Sequence, residues 1–203
     1  DYFKEYDLRT SLKPVLVTSF DVENSQGYLF SSAHAKQNPD ANFSLRKVAR
    51  ASCAAPTYFS PAHVKTTSGK KLSLSDGCFW ALNPAEVAYR EAKELFPGAD
   101  ISIVSLGTGT QDSSISHARA KGMGKFGWSC NVIVNTLKSQ SSGVHSRLVC
   151  DLPPFEDGTP RYIRLNVPLE EGMGGLDDPS LENMLYLESK ANQIILGKDF
   201  ATL

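Results

Sequence analysis

The sequence lacks the features that mark several large functional classes. Its 203 residues contain no apolar run of about 18 residues, which a membrane-spanning helix would need. Its 21 Lys and Arg residues are balanced by 22 Asp and Glu residues, so no basic stripe predicts binding to nucleic acid. The first ten residues, DYFKEYDLRT, lack the basic and apolar regions of a secretory signal peptide. The composition is that of a soluble globular protein with one sizeable core.

Cysteine is scarce and scattered along the chain. Cys53, Cys78, Cys130 and Cys150 form no C-x-x-C pair, and no His pair lies nearby at the spacing of zinc ligands. We therefore expect no metal site. We expect instead small buried thiols in a reducing compartment, which favours the cytoplasm.

The familiar nucleophile and cofactor motifs are also missing. No G-x-S-x-G occurs in the 203 residues, so the chain holds no nucleophile elbow. SLGTGT, residues 105–110, matches neither phosphate-binding glycine pattern and is typical of a tight turn after a strand. EGMGGLDDP, residues 171–179, lacks the oxygen spacing of a calcium loop. No cofactor is expected.

The four histidines give no catalytic context. Each could in principle act as a general base, but the surrounding residues favour positions in loops or on helix surfaces; they are His34, His63, His117 and His145.

What is present is an alternation of strand and helix patterns. Strands are predicted at 14–22, 27–32, 69–77, 99–110 and 161–169, and helices at 43–55, 83–98, 128–152 and 179–200. A polar turn between the first two strands predicts a hairpin. The alternation favours an α/β fold with a central, largely parallel sheet. With no repeat and no linker, residues 1–203 form one domain or part of one.

One acid stands out at the end of a strand. The alternating run KLSLS, residues 71–75, leads directly into Asp76 and Gly77. In open α/β sheets the carboxyl ends of strands are where ligands bind, and glycine lets the backbone turn there without a Cβ clash. An Asp-Gly pair at this place is typical of a structural turn as well as of a catalytic acid, and the local pattern leaves both open.

Six successive blocks resemble the patatin-like phospholipases, in that family's order. They are LKPVLVTSFDV (12–22), RKVARASCAAPTYFSP (46–61), LSDGCFWALNPAEVAYREA (74–92), ISIVSLGTGT (101–110), RYIRLNVPL (161–169) and LDDPSLENMLYLE (176–188). The resemblance implies a three-layer α/β/α fold and hydrolysis of fatty acyl esters in phospholipids or related lipids. It also implies a Ser-Asp dyad that works without a catalytic histidine.

The resemblance assigns roles to individual residues. Asp76 matches the family's D-G-[GA] aspartate and would be the proton acceptor of the dyad, with Gly77 and Cys78 completing the motif. Cys78 departs from the usual glycine or alanine, and no cation or histidine adjoins it in sequence to activate it as a substitute nucleophile. The segment RASCAAPTYF would pack near the dyad, and three of its residues are candidates to line the acyl pocket, with ordinary core packing as the alternative: Pro56, Tyr58 and Phe59.

The family's serine motif and its glycine-rich oxyanion loop would lie ahead of this sequence. We therefore expect the chain to be the C-terminal part of a patatin-like domain, inactive alone and completed by an N-terminal half of the same protein. The expected partners are a phospholipid or other fatty acyl ester, that N-terminal half, and transiently a membrane surface. The alternative is a patatin-scaffold storage or interaction protein without a nucleophile.

Overall fold

The computed structural model describes residues 2–175, 177–197 and 200, apart from the side chains of Phe126 and Cys130. The chain divides into two compact units, which meet in sequence between Ala88 and Tyr89.

The first unit is built on a four-stranded sheet in the order β2-β1-β4-β3, with every neighbouring pair antiparallel. Its strands are β1 (Leu16–Asp21), β2 (Gln26–Ser31), β3 (Ala62–Lys65) and β4 (Lys71–Asp76). The predicted hairpin is confirmed, with Leu16 opposite Ser31 and Asp21 opposite Gln26. The pairing of β1 with β4 places Ser19 opposite Asp76.

The alternating polar and apolar residues of β4 predict that only one face of the strand is buried. Leu72, Ser73, Leu74 and Ser75 are all buried, so both faces of the strand are covered and its serines lie in the interior. The two leucines belong to the main core of the unit, whose buried members are Leu8, Phe30, Ala35, Phe43, Val48, Ala51, Ala62, Val64, Leu72 and Leu74.

Short helices connect and cover these strands. They are α1 (Ser32–Gln37), α2 (Leu45–Ser52) and α3 (Cys78–Ala81). The next helix, α4 (Ala85–Leu95), contains the boundary between the two units. The predicted helix over 43–55 is confirmed as α2, which buries Val48 and Ala51. The predicted helix over 83–98 is confirmed as α4, and the Asn83 side chain accepts a hydrogen bond from the N–H of Ala85.

The second unit contains two pairs of parallel strands. They are β5 (Ile103–Leu106) with β7 (Tyr162–Leu165) and β6 (Thr110–Gln111) with β8 (Pro168–Leu169). Its helices are α5 (His117–Gly122), α6 (Lys125–Asp151) and α7 (Leu181–Ile195). The predicted last helix began at Pro179 with Asp178 as its cap, whereas Ser180 caps α7 two residues later. Its predicted end includes residues 198 and 199, which lie outside the described residues.

The α/β class is confirmed, with helices between strands and parallel pairing in the second unit. The antiparallel pairing of the first unit differs from the expectation of a largely parallel sheet. Two of its pairings, β1 with β2 and β3 with β4, follow from short connections, over which a chain can only reverse its direction.

Candidate active site

Asp76 lies at the carboxyl end of β4, where the neighbouring strand changes. β3 pairs with β4 only as far as Leu74, and beyond that point the segment after α2 takes its place. The N–H of Asp76 donates to the carbonyl oxygen of Ala54 over 3.1 Å. Asp76 itself is partly exposed at this edge. The sequence prediction of an acid presented at a strand end therefore holds.

The carboxylate of Asp76 is oriented by the turn that follows it. Its Oδ1 accepts a hydrogen bond from the backbone N–H of Cys78 over 2.8 Å. A carboxylate fixed through one oxygen can accept a proton from a neighbouring hydroxyl at the other. This geometry is compatible with a structural turn and with a general base alike.

Gly77 is required by a close approach of backbones. Its φ of −67° and ψ of −15° are right-handed helical values that any residue can adopt. A Cβ at this position would come within 2.3 Å of Thr18 Oγ1 and 2.6 Å of the Thr18 carbonyl oxygen. The predicted need for glycine holds, and its physical cause is the proximity of β1.

Cys78 is the first residue of α3 and is half-buried. Burial above all, together with the negative charge of Asp76 and a hydrogen bond to it, raises the pKa of its thiol to about 11. The thiolate is the nucleophilic form of cysteine, so this thiol is a poor nucleophile at neutral pH. Its backbone lies outside the left-handed region, so cysteine causes no strain there.

The remaining cysteines differ from the sequence expectation. Cys53 and Cys150 are exposed rather than buried, and like Cys78 they are free thiols. Cys53 directly follows Ser52, the last residue of α2. The side chain of Cys130 lies outside the described residues.

Pro56, Tyr58 and Phe59 lie on an exposed turn after α2. The N–H groups of Tyr58 and Phe59 both donate to the carbonyl of Ala55, and the Arg50 guanidinium lies 5.6 Å from the centre of the Phe59 ring. Their neighbour Ala54 contacts Asp76, so this segment adjoins the aspartate. That the three side chains line an acyl pocket remains a prediction.

Trp80 joins the two strands of the hairpin to the turn after Asp76. Its indole Nε1–H donates to the carbonyl oxygen of Ser19 over 2.7 Å. Its ring lies so close to Gly27 that a Cβ there would be 2.5 Å from ring carbons. The ring of Phe79, beside it in α3, lies 5.1 Å from that of Phe20.

The SLGTGT turn in the second unit is occupied by protein contacts. The N–H of Gly109 donates to Asn166 Oδ1 over 2.9 Å, and the Asn166 amide donates to Thr110 Oγ1. The N–H of Gly107 donates to the carbonyl of Leu165. These donors hold β7 against the turn, in agreement with the predicted structural role.

The other candidate groups give no second site. All four histidines are exposed. Within residues 2–175, 177–197 and 200, no three His, Cys, Asp or Glu side chains are grouped to hold a metal ion. A cavity of about 200 Å³ in the second unit, lined in part by Arg164 and Gln193, lies among none of the predicted site residues. In the part of the chain that the structure describes, no helix is long and apolar enough to span a membrane.

Sequence reasoning missed the contacts that support Asp76. Ser19 Oγ donates a hydrogen bond to the Ser75 carbonyl, and Ser75 Oγ donates one to the Ala54 carbonyl. The two pairs of residues are 56 and 21 positions apart in sequence. The only local signal was the pair of serines within KLSLS, which look like solvent-facing positions in an alternating strand but are buried.

Comparisons with known proteins find several relatives. The chain is 35% identical over 115 residues to "Patatin-like protein 6" of Arabidopsis thaliana, covering 53% of this chain and 23% of that protein. It is 34% identical over 124 residues to "Probable inactive patatin-like protein 9" of the same plant, covering 57% and 32%. It is 25% identical to "Probable inactive patatin-3-Kuras 1" of Solanum tuberosum, covering 90% and 54%.

The chain spans about a quarter to a third of the length of the two Arabidopsis relatives. A scan of the chain against models of protein families gives no match.

Proposed function

Since the chain belongs to the patatin-like protein family, we propose that it supplies the proton acceptor of a serine-dependent lipid acyl hydrolase. Family membership suggests acyl hydrolysis, and two of the three relatives named above are called inactive. The observation that carries the proposal is the carboxylate of Asp76, held by the Cys78 N–H at the end of β4.

The reaction proposed is hydrolysis of a fatty acyl ester by a Ser-Asp dyad. Asp76 accepts the proton of the serine hydroxyl as the oxygen attacks the ester carbonyl, and it returns that proton to the leaving alcohol. In the second half, Asp76 takes a proton from the water that cleaves the acyl-enzyme. No G-x-S-x-G occurs in these 203 residues, so in this proposal the serine belongs to another segment of the intact protein.

The same segment would cover apolar surface in the second unit. Leu106 of β5 is 73% exposed and Val104 is 49% exposed, both on one face of the parallel pair. Parallel sheets are usually covered on both faces, so this face is expected to be covered in the intact protein. The proposed substrate is a phospholipid or lysophospholipid, met during transient contact with a membrane surface. Pro56, Tyr58 and Phe59 are proposed to contact its acyl chain.

The test is ester hydrolysis by the intact protein and its Asp76→Asn variant, with p-nitrophenyl butyrate as substrate. An amide cannot take the serine's proton, and loss of a general base lowers turnover by about 10²–10⁴-fold. Asp100→Asn, which changes an exposed aspartate, serves as the control and should turn over normally. Undiminished turnover in Asp76→Asn would refute the assignment.

A second candidate is a non-catalytic patatin-scaffold protein that serves storage or interaction. It is favoured by the names of two relatives, which call those proteins probably inactive. Labelling of the intact protein with a fluorophosphonate separates the two. Stoichiometric modification of one serine supports the hydrolase, and no modification supports the non-catalytic protein.

A further inference from the structure

The peptide bond that precedes Asp76 is held at both of its polar ends. Its carbonyl oxygen, on Ser75, accepts a hydrogen bond from Ser19 Oγ over 2.6 Å. Its N–H, on Asp76, donates to the Ala54 carbonyl over 3.1 Å. The two contacts come from β1 and from the segment after α2, so two separate elements fix one peptide plane.

Two buried hydroxyls complete this arrangement. Ser75 Oγ donates to the same Ala54 carbonyl over 2.8 Å, and Ser19 Oγ also lies 3.4 Å from the carbonyl of Ala51. Ser19 is 0% exposed and Ser75 is 3% exposed. Burying a hydroxyl is unfavourable unless it is hydrogen-bonded, and an alanine would fill most of the same space without that requirement.

We propose that Ser19 and Ser75 are positioning residues for the Asp76 carboxylate. Ser19 holds the peptide carbonyl, and Ser75 holds the Ala54 carbonyl that receives the Asp76 N–H. Together with the Cys78 N–H on Oδ1, they fix the aspartate from its backbone to its carboxylate. The proposal rests on Asp76 acting as the base. A misplacement of about 1 Å in such a group can reduce turnover about 100-fold.

The experiment compares Ser75→Ala and Ser19→Ala in the intact protein, with p-nitrophenyl butyrate as substrate. Both variants should lower kcat about tenfold to 100-fold and leave KM within about twofold, because the acyl-binding surface is unchanged. Ser75→Thr keeps the hydroxyl and should retain most of the turnover.

Ser73→Ala is the matched control. Ser73 is buried on the same strand and the same face as Ser75, and it lies two residues further from Asp76. It should alter the unfolding midpoint without lowering kcat. If Ser75→Ala and Ser19→Ala lower kcat no more than Ser73→Ala does, the hydroxyls are structural and the proposal fails.

A second measurement does not depend on turnover. Asp76 contributes to the raised pKa of the Cys78 thiol, so loosening the aspartate should move the alkylation profile of Cys78 to lower pH. An unchanged profile in Ser75→Ala would overturn the positioning role. If Asp76→Asn abolishes turnover while the serine variants keep it, only this inference fails. If Asp76→Asn keeps full turnover, the proposed function fails, and this inference fails with it.

Discussion

Substituting alanine for Gly77 tests whether two backbones meet as closely as the structure places them. The new Cβ would lie 2.6 Å from the Thr18 carbonyl oxygen, and ordinary contact begins at 3.4 Å, so β1 and the turn must separate by about 0.8 Å. Overpacking of this kind costs about 1–3 kcal/mol. Because the site has helical φ and ψ, alanine fits its backbone, and it stabilises the protein by about 0.4–1 kcal/mol by lowering the entropy of the unfolded chain. We expect a net loss of about 1 kcal/mol in the free energy of unfolding, within a range of about 0–2.6 kcal/mol.

The assay is urea denaturation of the intact protein, followed by circular dichroism. Gly122→Ala is the control, because Gly122 lies at the end of α5 with nothing within 4 Å of an added Cβ. Adding Thr18→Ala to Gly77→Ala removes the 2.3 Å contact to Oγ1 but leaves the carbonyl, so stability should recover only in part. Equal stability of Gly77→Ala and Gly122→Ala would refute the reasoning.

Two further predictions concern Cys78 and Asn166. A rise in thiol pKa from 9.0 to about 11 leaves about 100-fold less thiolate at pH 8, so Cys78 should react with iodoacetamide about 100-fold more slowly than a cysteine in an unstructured peptide. Peptide mass spectrometry measures this, and comparable rates would contradict it. Asn166→Ala removes the acceptor for the Gly109 N–H and should lower the free energy of unfolding by about 1–3 kcal/mol. The control is Asn192→Ala, at an exposed position of α7, which should leave the free energy of unfolding unchanged. Equal effects of the two substitutions in urea denaturation would contradict the role of Asn166.

Elements that depend on local signals were predictable from the sequence. The hairpin follows from two apolar strands around a polar turn, and α2 from the spacing of Val48 and its apolar neighbours. The position of Asp76 follows from an alternating run of residues that leads directly into Gly77. In each of these cases neighbours in sequence are also neighbours in space.

Features that depend on distant residues were not predictable. The pairing of β1 with β4 places Ser19 opposite Asp76, and no local pattern predicts it. The need for glycine at position 77 arises from Thr18, almost sixty residues earlier, rather than from the backbone angles of the turn.

The cap of α7 was misplaced because Asp178 and Ser180 both suit that role. Ser180 accepts the capping bond from Asn183, while Asp178 accepts one from the Ser180 N–H.

The contact of Trp80 with the Ser19 carbonyl gives the protein an internal optical reporter. The sequence has only two tryptophans, and Trp80 donates its indole N–H to the residue opposite Asp76 in the sheet. Indole emission responds to the polarity and hydrogen bonding of the ring, so replacing Trp128 with phenylalanine would leave Trp80, beside the aspartate, as the single tryptophan of these 203 residues. Substrate binding, changes in β1 and opening of the turn after β4 would then be observable without a label, whether or not turnover occurs.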